Sequence, residues 1–370
     1  MRFVPRLVAT VGLLAMACAR DAAPPSAPTG GERISGTAGS PNDVTHIDCG
    51  DFHACAALRD GTARCWGRDR EGELGDGDRS DADQKRPVVV VGLAGVEELA
   101  LGATFSCARL RDKTVTCWGS GKILGDGREV SKIAPTAVVG LRDVVELRAG
   151  GYVACARTAA GAARCWGLAA AEEGVPTADV EALSVGAAHA CARMKDGSAR
   201  CWGEGAWGGH KERSFSTPKI RGVTGIATGD SFACALLDEG KATCWGRNDQ
   251  GELGSTSDQE DHATPLPVGG LVGAVELAAA ESHVCARLTD ASVRCWGSNT
   301  EGELGRGTRS AEERPGAVQG LDHVSDIALG ADYGCATTVD GALYCWGNNH
   351  DGQIGDGTNE SRFTPVRITW

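Results

Sequence analysis

Fourteen of the sixteen cysteines fall into seven pairs that share one spacing, Cys-x9-Cys. Ala follows the first cysteine of every pair and Trp-Gly follows the second, while Gly lies five residues before the first cysteine in six copies and Ala280 in the other. Successive first cysteines are 36 to 52 residues apart. This periodicity indicates seven copies of one supersecondary unit. The pairs are Cys55 with Cys65, Cys107 with Cys117, Cys155 with Cys165, Cys191 with Cys201, Cys234 with Cys244, Cys285 with Cys295, and Cys335 with Cys345.

Each repeat has the pattern of short antiparallel strands. In the second repeat, residues 96–102, 105–110 and 114–118 predict three strands, and turns such as Asp60-Gly61 are typical of the hairpin between the last two. A Pro-led apolar stretch such as residues 87–91 favours a fourth strand at an outer edge. Four such strands form one propeller blade. The sequence therefore predicts an all-β fold, a seven-bladed β-propeller of four-stranded antiparallel blades.

The ends of this repeat region are predicted to meet. The propeller is expected to span residues 44–370, and residues 363–368 have the pattern of a last outer strand. This arrangement would place the seventh blade beside the first, near Val44.

The two cysteines of each pair are predicted to form a disulfide. The hairpin turn is centred midway between them, which places them directly opposite each other at bridging distance. Packing of two buried thiols is the alternative, and metal ligation calls for a different spacing. Cys49 is left over and occupies a slot filled elsewhere by Leu101, Val185 or Leu329, so we expect a buried free thiol.

The N-terminal segment has the features of an export signal. Two arginines precede an apolar run at residues 7–17, with small residues before Cys18. The end of this run resembles a bacterial lipobox, which predicts removal of residues 1–17 and lipid attachment at Cys18. Cleavage and release is the alternative. Residues 18–43 are rich in Ala, Pro, Ser, Thr and Gly and predict a flexible tether.

The charge balance limits the classes of partner. The chain has 49 acidic and 37 basic residues, a formal net charge of −12. Binding of DNA, RNA or an anionic membrane requires basic side chains at the phosphates. We therefore expect no nucleic-acid partner, and membrane contact only through a lipid anchor.

The repeat also resembles a known family. Its elements run Leu-Ala-x-Gly, Cys-Ala, Asp-Gly, Cys-Trp-Gly, Gly-x-Leu-Gly and Pro-x-Val. This pattern resembles the regulator of chromosome condensation repeat, whose members form seven-bladed propellers. The resemblance implies several functions, among them nuclear guanine-nucleotide exchange, secreted inhibition of β-lactamases, and unassigned secreted or lipid-anchored roles in bacteria. Fold alone does not choose among them.

The histidines are the obvious candidates for catalysis, but three of them occupy a position that recurs in every repeat. The slot two residues before the first cysteine holds His53, Phe105, Val153, His189, Phe232, His283 and Tyr333 in chain order. A slot that accepts Phe, Val and Tyr as well as His predicts packing rather than proton transfer. Phosphate-loop, zinc-helix and nucleophile-elbow motifs do not occur in the sequence. We therefore predict a protein that is not an enzyme and has neither cofactor nor metal.

The first repeat contains an acidic loop whose carboxylates are candidate calcium ligands. It contains Asp76, Asp78, Asp81 and Asp83. The spacing lacks the Gly and the terminal Glu of a recognised calcium loop, so we expect a solvated loop between strands.

The loop after Trp-Gly differs among repeats and offers the best candidate site. Most copies have Gly-x-Leu-Gly there, whereas repeat three is shortened and repeat four carries residues 204–215 instead. Trp, Arg and Phe on a loop are residue types that anchor protein interfaces. We predict a partner-binding patch at Trp207, His210, Arg213 and Phe215. The alternative is a loop that folds back on its blade, with Trp207 in the space of the missing leucine.

These features together predict an exported, monomeric propeller that binds a protein or cell-envelope ligand. Its expected location is a bacterial outer membrane or cell surface, through a lipid anchor, or else the medium. The main alternative is a secreted inhibitor of a hydrolase such as a β-lactamase. A regulator similar to a guanine-nucleotide exchange factor fits least, because the export signal and the disulfides separate it from cytosolic GTPases.

Overall fold

The computed structural model describes residues 43–167, 174–203, 218–255 and 260–370. Within these ranges the chain is all-β, with seven antiparallel sheets that each come from one contiguous stretch of chain. Two 3-10 turns, Gly121–Ile123 and Asp238–Gly240, are the exceptions among the described residues. The all-β, seven-bladed propeller predicted from the repeats is confirmed.

The strands are numbered in chain order, and each blade begins with its innermost strand. Blade 1 contains β1 Val44–Cys49, β2 His53–Leu58, β3 Ala63–Gly67 and β4 Gln84–Val89; blade 2 contains β5 Val96–Leu101, β6 Phe105–Leu110, β7 Val115–Gly119 and β8 Lys132–Ala137. Blade 3 contains β9 Val144–Gly150, β10 Val153–Thr158 and β11 Ala163–Gly167; blade 4 contains β12 Val180–Val185, β13 His189–Met194 and β14 Ala199–Gly203.

The last three blades each have four strands. Blade 5 contains β15 Val223–Thr228, β16 Phe232–Leu237, β17 Ala242–Gly246 and β18 His262–Pro267; blade 6 contains β19 Ala274–Ala280, β20 His283–Leu288, β21 Val293–Asn299 and β22 Ser310–Ala317. Blade 7 contains β23 Val324–Leu329, β24 Tyr333–Thr338, β25 Leu343–Gly347 and β26 Arg362–Ile368. The last strand predicted from residues 363–368 is therefore β26.

Blades 3 and 4 have three strands each within the described ranges, whereas the other five have the four strands predicted. In blade 3, the position of the outer strand is marked by one backbone hydrogen bond, from Ala163 N to Pro176 O at 3.0 Å. Only twelve residues separate β11 from β12. The shortening of repeat three is thus visible as a reduced outer edge.

The seven predicted disulfides are present. In every blade the two cysteines face each other across the β-hairpin, with Cα atoms 4.0 to 4.1 Å apart, and all fourteen are buried. Cys49 is a buried free thiol, as expected from its apolar slot. The observed bridges are those predicted, one in each blade: Cys55 with Cys65, Cys107 with Cys117, Cys155 with Cys165, Cys191 with Cys201, Cys234 with Cys244, Cys285 with Cys295, and Cys335 with Cys345.

The repeated tryptophan joins adjacent blades. Trp118 of blade 2 is fully buried, and its indole N–H donates to the Glu73 carbonyl in the Gly-x-Leu-Gly loop of blade 1, at 2.8 Å. Trp296 and Trp346 make the same bond to the loop of the preceding blade. The loop glycine lies so close that a Cβ on Gly75 would be 2.7 Å from the Trp118 indole nitrogen. The repeated Trp and the repeated loop therefore form one inter-blade contact.

The glycine five residues before the first cysteine in six of the seven repeats also has a steric cause. A Cβ on Gly102 would lie 2.1 Å from the Phe105 ring and 2.6 Å from the carbonyl of Gly151 in the next blade. Both distances are shorter than real Cβ contacts. In the one copy with Ala280 at this position, the ring two residues before the cysteine is His283.

The ring closes between blades 7 and 1 without a shared strand. Tyr333 of blade 7 donates its hydroxyl proton to the carbonyls of Gly50 and His53 in blade 1, at 3.0 and 2.6 Å. Trp66 of blade 1 donates to the Gln353 carbonyl of blade 7 at 2.8 Å. The Trp66 bond is the one that also joins blades 1 and 2, 5 and 6, and 6 and 7, so closure relies on side-by-side packing.

Candidate functional site

Antiparallel blades place their connections on two opposite faces. The segments that join first to second strands and third to fourth strands lie at one end of every blade, which we call the loop face. The hairpins between second and third strands and the connections between blades lie at the other end, the turn face. The longest described connections, residues 68–83 and 348–361, are on the loop face. Long variable loops on a rigid scaffold are where binding residues concentrate.

The two faces differ sharply in charge. The described loop-face connections carry twenty-two Asp and Glu against eight Lys and Arg, whereas those of the turn face carry ten against eight. Some loop-face carboxylates are internal, because Glu73, Glu252 and Glu303 are fully buried and accept backbone N–H bonds of their own loops. The remaining excess still makes the loop face the acidic side of the molecule, where a basic partner would be attracted.

Four carboxylates gather where the loop face meets the central channel. They lie in the connections between first and second strands of blades 1, 5, 6 and 7, and they are Asp51, Asp230, Glu281 and Asp332. Asp230 and Glu281 are joined through the backbone, since Asp230 N donates to the Glu281 carbonyl at 3.3 Å. We call this group the mouth cluster.

The mouth cluster is electrostatically strained. Burial raises the pKa of Glu281 to about 7, and repulsion from Asp332, Asp230 and Asp51 contributes. Burial also raises the pKa of Asp51 to about 6, with repulsion from Asp230 next. Among the described residues, none of the four carboxylates forms an ion pair. A cation delivered by a ligand would relieve this repulsion.

The arginine side chains beside the mouth cluster form contacts with other residues. Arg68 lies over the Phe52 ring at 3.8 Å and binds Glu73, and Arg247 binds Asp249 and Glu252. Burial raises the pKa of Asp51 and of Asp230, and the charges of Arg68 and Arg247 oppose this rise without forming ion pairs with the two carboxylates.

Tyr152 adds an aromatic side chain to the same rim. It lies in the connection between first and second strands of blade 3 and is 47% exposed. Tyrosine combines apolar area with a hydrogen-bonding group and is frequent at interface hot spots.

The central channel is lined by the first strands and encloses a cavity of ≈ 320 Å³. Its polar side chains connect neighbouring blades. Glu98 of blade 2 accepts the Leu147 N–H of blade 3 at 2.8 Å, and Asp48 of blade 1 accepts the Leu101 N–H of blade 2 at 2.7 Å. The innermost strand of a blade is an edge, and these side chains satisfy N–H groups that the sheet leaves unpaired. The channel residues therefore have a structural role.

Burial changes the titration of the channel groups. It raises the pKa of Asp48 to about 7 and lowers that of His46 to about 4. Burial and the neighbouring Asp326 carboxyl raise the pKa of Glu276.

The repeated histidines are buried. His53, His189 and His283 are at most 2% exposed, as the packing interpretation predicts. His53 Nε2 lies 2.8 Å from Ser106 Oγ, a pairing that could suggest a nucleophile and base, but both residues are fully buried and Ser106 donates to the Glu73 carbonyl. A substrate could not reach this pair. The absence of enzymatic activity stays a prediction.

Several predicted site residues lie outside the described ranges. They are Cys18 and the four residues of the candidate patch, Trp207, His210, Arg213 and Phe215. Across the described residues, no group of three or more His, Cys, Asp or Glu side chains is arranged to hold a metal ion, and no helix has the length and apolar character to cross a bilayer. The mouth cluster was not found from the sequence, although all four carboxylates lie three or four residues before a first cysteine.

Seven contiguous blades around a channel, with acidic and variable connections on one face, define a closed, repeat-built β-propeller. Models of the regulator of chromosome condensation (RCC1) repeat match residues 44–73, 180–206, 223–252, 275–303 and 324–353, and a second model of this repeat matches 290–337 and 340–370. The chain belongs to this repeat family.

Solved structures support the same fold. Prp20p from Saccharomyces cerevisiae is similar with a TM-score of 0.72 and 20% identity, over 89% of this chain and 88% of that one. Human WBSCR16 is similar with a TM-score of 0.71 and 20% identity, over 84% and 94%. The ultraviolet-B receptor UVR8 of Arabidopsis thaliana is 31% identical over 79 residues, which is 21% of this chain and 18% of that protein.

Proposed function

We propose that this protein is an exported binding protein that captures a basic protein surface on its loop face. The observation that carries the proposal is the charge difference between the faces, concentrated in the mouth cluster. Prp20p is described with binding properties to Gsp1p and histones, which makes a protein the class of partner to test first. Complementary charge would steer such a partner to this face and fix its orientation.

Binding would follow the titration of the mouth cluster. A lysine or arginine of the partner placed among Asp51, Asp230 and Glu281 would favour their charged forms and release protons. Because the pKa values of Asp51 and Glu281 are raised to about 6 and about 7, affinity is expected to fall as the pH decreases through this window. Tyr152 would add apolar contact beside the charges.

Export is the second part of the proposal. Seven disulfides support it, since such bonds persist in oxidising compartments. Lipid attachment at Cys18 would tether the propeller to a membrane surface through residues 18–43. The intact mass of protein from its own host, measured before and after reduction, tests both points. A diacyl or triacyl increment at Cys18 is expected, and a reduced chain that begins at Met1 would refute export.

Charge-neutral variants test the binding face. Asp230→Asn with Glu281→Gln keeps the side-chain shapes and removes two mouth charges, whereas Asp322→Asn with Asp143→Asn removes two turn-face charges as the matched control. Envelope proteins of the native host are passed over each immobilised variant at low and high salt, and retained proteins are quantified. Partners lost with the mouth variant and kept with the control support the proposal. Equal retention by both variants rejects the loop face as the binding site.

A further inference from the structure

One loop-face residue of blade 1 departs from the other blades in a way that points to a ligand. The second residue after Trp-Gly is Asp69 in blade 1, and the same position holds Asn248, Asn299 and Asn349 in blades 5, 6 and 7. Asp69 Oδ1 accepts the Leu74 N–H at 3.1 Å, as Asn349 Oδ1 accepts the Ile354 N–H at 2.9 Å. The side chains thus have the same orientation. Asp69 Oδ2 takes the place of the amide nitrogen.

The amide nitrogen in blade 7 is surrounded by acceptors. Asn349 Nδ2 donates to the carbonyls of Thr358 and Glu360 at 3.1 and 3.0 Å and reaches Asp356 Oδ1 at 3.4 Å. Asn299 Nδ2 of blade 6 likewise donates to the Thr308 carbonyl at 3.1 Å. The pocket therefore requires a hydrogen-bond donor or a positive charge.

The blade 1 loop is two residues longer than the blade 7 loop but matches it through Ser80, with a different side chain in the pocket. Asp78 N donates to Asp76 Oδ1 at 3.0 Å, as Thr358 N donates to Asp356 Oδ1 at 2.9 Å. By this register we expect Asp69 Oδ2 to face the Asp76 carboxylate and the carbonyls of Asp78 and Ser80, and Ser80 lies beside Asp69, since its N–H donates to the Asp69 carbonyl at 3.2 Å. In blade 1 the carboxylate oxygen Asp69 Oδ2, an acceptor, therefore replaces the donor Asn349 Nδ2 of blade 7, while the surrounding groups are still acceptors.

A second compensating group is also missing from blade 1. In blade 7, Arg362 donates to the other oxygen of Asp356 at 2.6 Å. The strand pairing that places Arg362 opposite Gly347 places Gln84 opposite Gly67 in blade 1, and no described lysine or arginine pairs with Asp69 or Asp76. Blade 1 therefore lacks both the amide donor and the guanidinium.

The uncompensated oxygen is buried. Asp69 is 1% exposed, and its Oδ2 has no hydrogen-bond partner among the described residues. A buried carboxylate oxygen without a partner is costly. Burial raises the pKa of Asp69 to about 7, and repulsion from Asp76, Glu73 and Asp78 adds to the effect.

We propose that the blade 1 loop binds a calcium-type divalent cation through Asp69 Oδ2, the Asp76 carboxylate and the main-chain carbonyls of Asp78 and Ser80. Carboxylate and carbonyl oxygens are the ligands that Ca²⁺ prefers. Two main-chain oxygens stand in for side chains, so the set differs from a recognised calcium loop and from a cluster of three acidic side chains. The cation replaces both the amide and the guanidinium of blade 7.

Calcium titration of the oxidised full-length protein tests this site. Protein stripped with EDTA is titrated with Ca²⁺ alone by calorimetry, and its thermal midpoint is measured with and without Ca²⁺. Asp69→Asn restores the side chain of three other blades, so it is expected to fold. Its Ca²⁺ affinity should fall by at least about tenfold, and its midpoint should no longer respond to Ca²⁺. Asp81→Asn removes one charge from an exposed position of the same loop and should bind as the native protein does.

The Ca²⁺ titrations of the native protein and its variants distinguish a cation site from a protonated carboxyl group. Calcium binding that is lost in Asp69→Asn and in Asp76→Asn, and kept in Asp81→Asn, supports the site. Absence of binding by the native protein, or equal binding by Asp69→Asn, overturns it. A midpoint that rises on acidification below pH 6 but does not respond to Ca²⁺ also overturns it, since Asp69 would then be stabilised by a proton.

Discussion

Removal of one disulfide should have a calculable effect on stability. Each bridge joins residues ten apart in sequence, and the loops do not overlap. Closing a loop of ten residues lowers the entropy of the unfolded chain by about 9 cal/mol/K, which is about 2.7 kcal/mol at 25 °C. We therefore expect the double variant Cys107→Ala with Cys117→Ala to lose about 2.7 kcal/mol of unfolding free energy, plus the packing of two sulfur atoms.

A single buried thiol provides the control for packing. Cys49 is buried and unbridged, so Cys49→Ala reports the loss of one sulfur without loss of a cross-link. Urea unfolding of both variants under oxidising conditions measures the difference. A loss in the double variant no larger than twice that of Cys49→Ala would refute the cross-link calculation. The same experiment on Cys191 and Cys201 should give a similar value, because the loop length is identical.

Two further predictions concern closure and pH. Trp66→Phe removes the hydrogen bond from the indole N–H to the Gln353 carbonyl between blades 1 and 7. It should lower the free energy of unfolding in urea by about 1 to 3 kcal/mol. An unchanged urea midpoint would contradict a stabilising role for this contact. Burial raises the pKa of Glu252 above that of the unfolded chain, to about 7, so the folded state binds more protons and native stability should decrease as the pH rises from about 4.5 through 7. Glu252→Gln should therefore gain in stability relative to the native protein between pH 5 and 8, and a constant difference across this range would contradict the assignment.

The fold was predictable because its determinants repeat. A position that holds the same residue type in seven copies, such as the Trp after the second cysteine, reports one local environment seven times. The disulfides followed from hairpin register alone. The outer edge of blade 3 was less predictable, since a shortened repeat does not tell how many backbone pairs remain.

The mouth cluster and the Asp69 site could not be predicted from the sequence, because they depend on contacts that form only in the folded chain. The mouth cluster comes from four blades, and its members become neighbours only because the ring closes. The sequence does not distinguish Asp69 from the other acidic residues of its loop, because only the contacts of Asn349 show that this position requires a hydrogen-bond donor. The patch at Trp207, His210, Arg213 and Phe215 lies outside the described residues and stays a prediction.

The way the ring closes bears on how such a chain can change length over evolution. Every blade is a contiguous segment, and blade 7 meets blade 1 through the same Trp-to-carbonyl bond that joins blades 1 and 2, 5 and 6, and 6 and 7. Duplication or deletion of one whole repeat would not split any sheet. A circularly permuted gene that begins at another blade boundary would encode the same set of sheets, because the junction between blades 7 and 1 interrupts no hydrogen-bonded ladder.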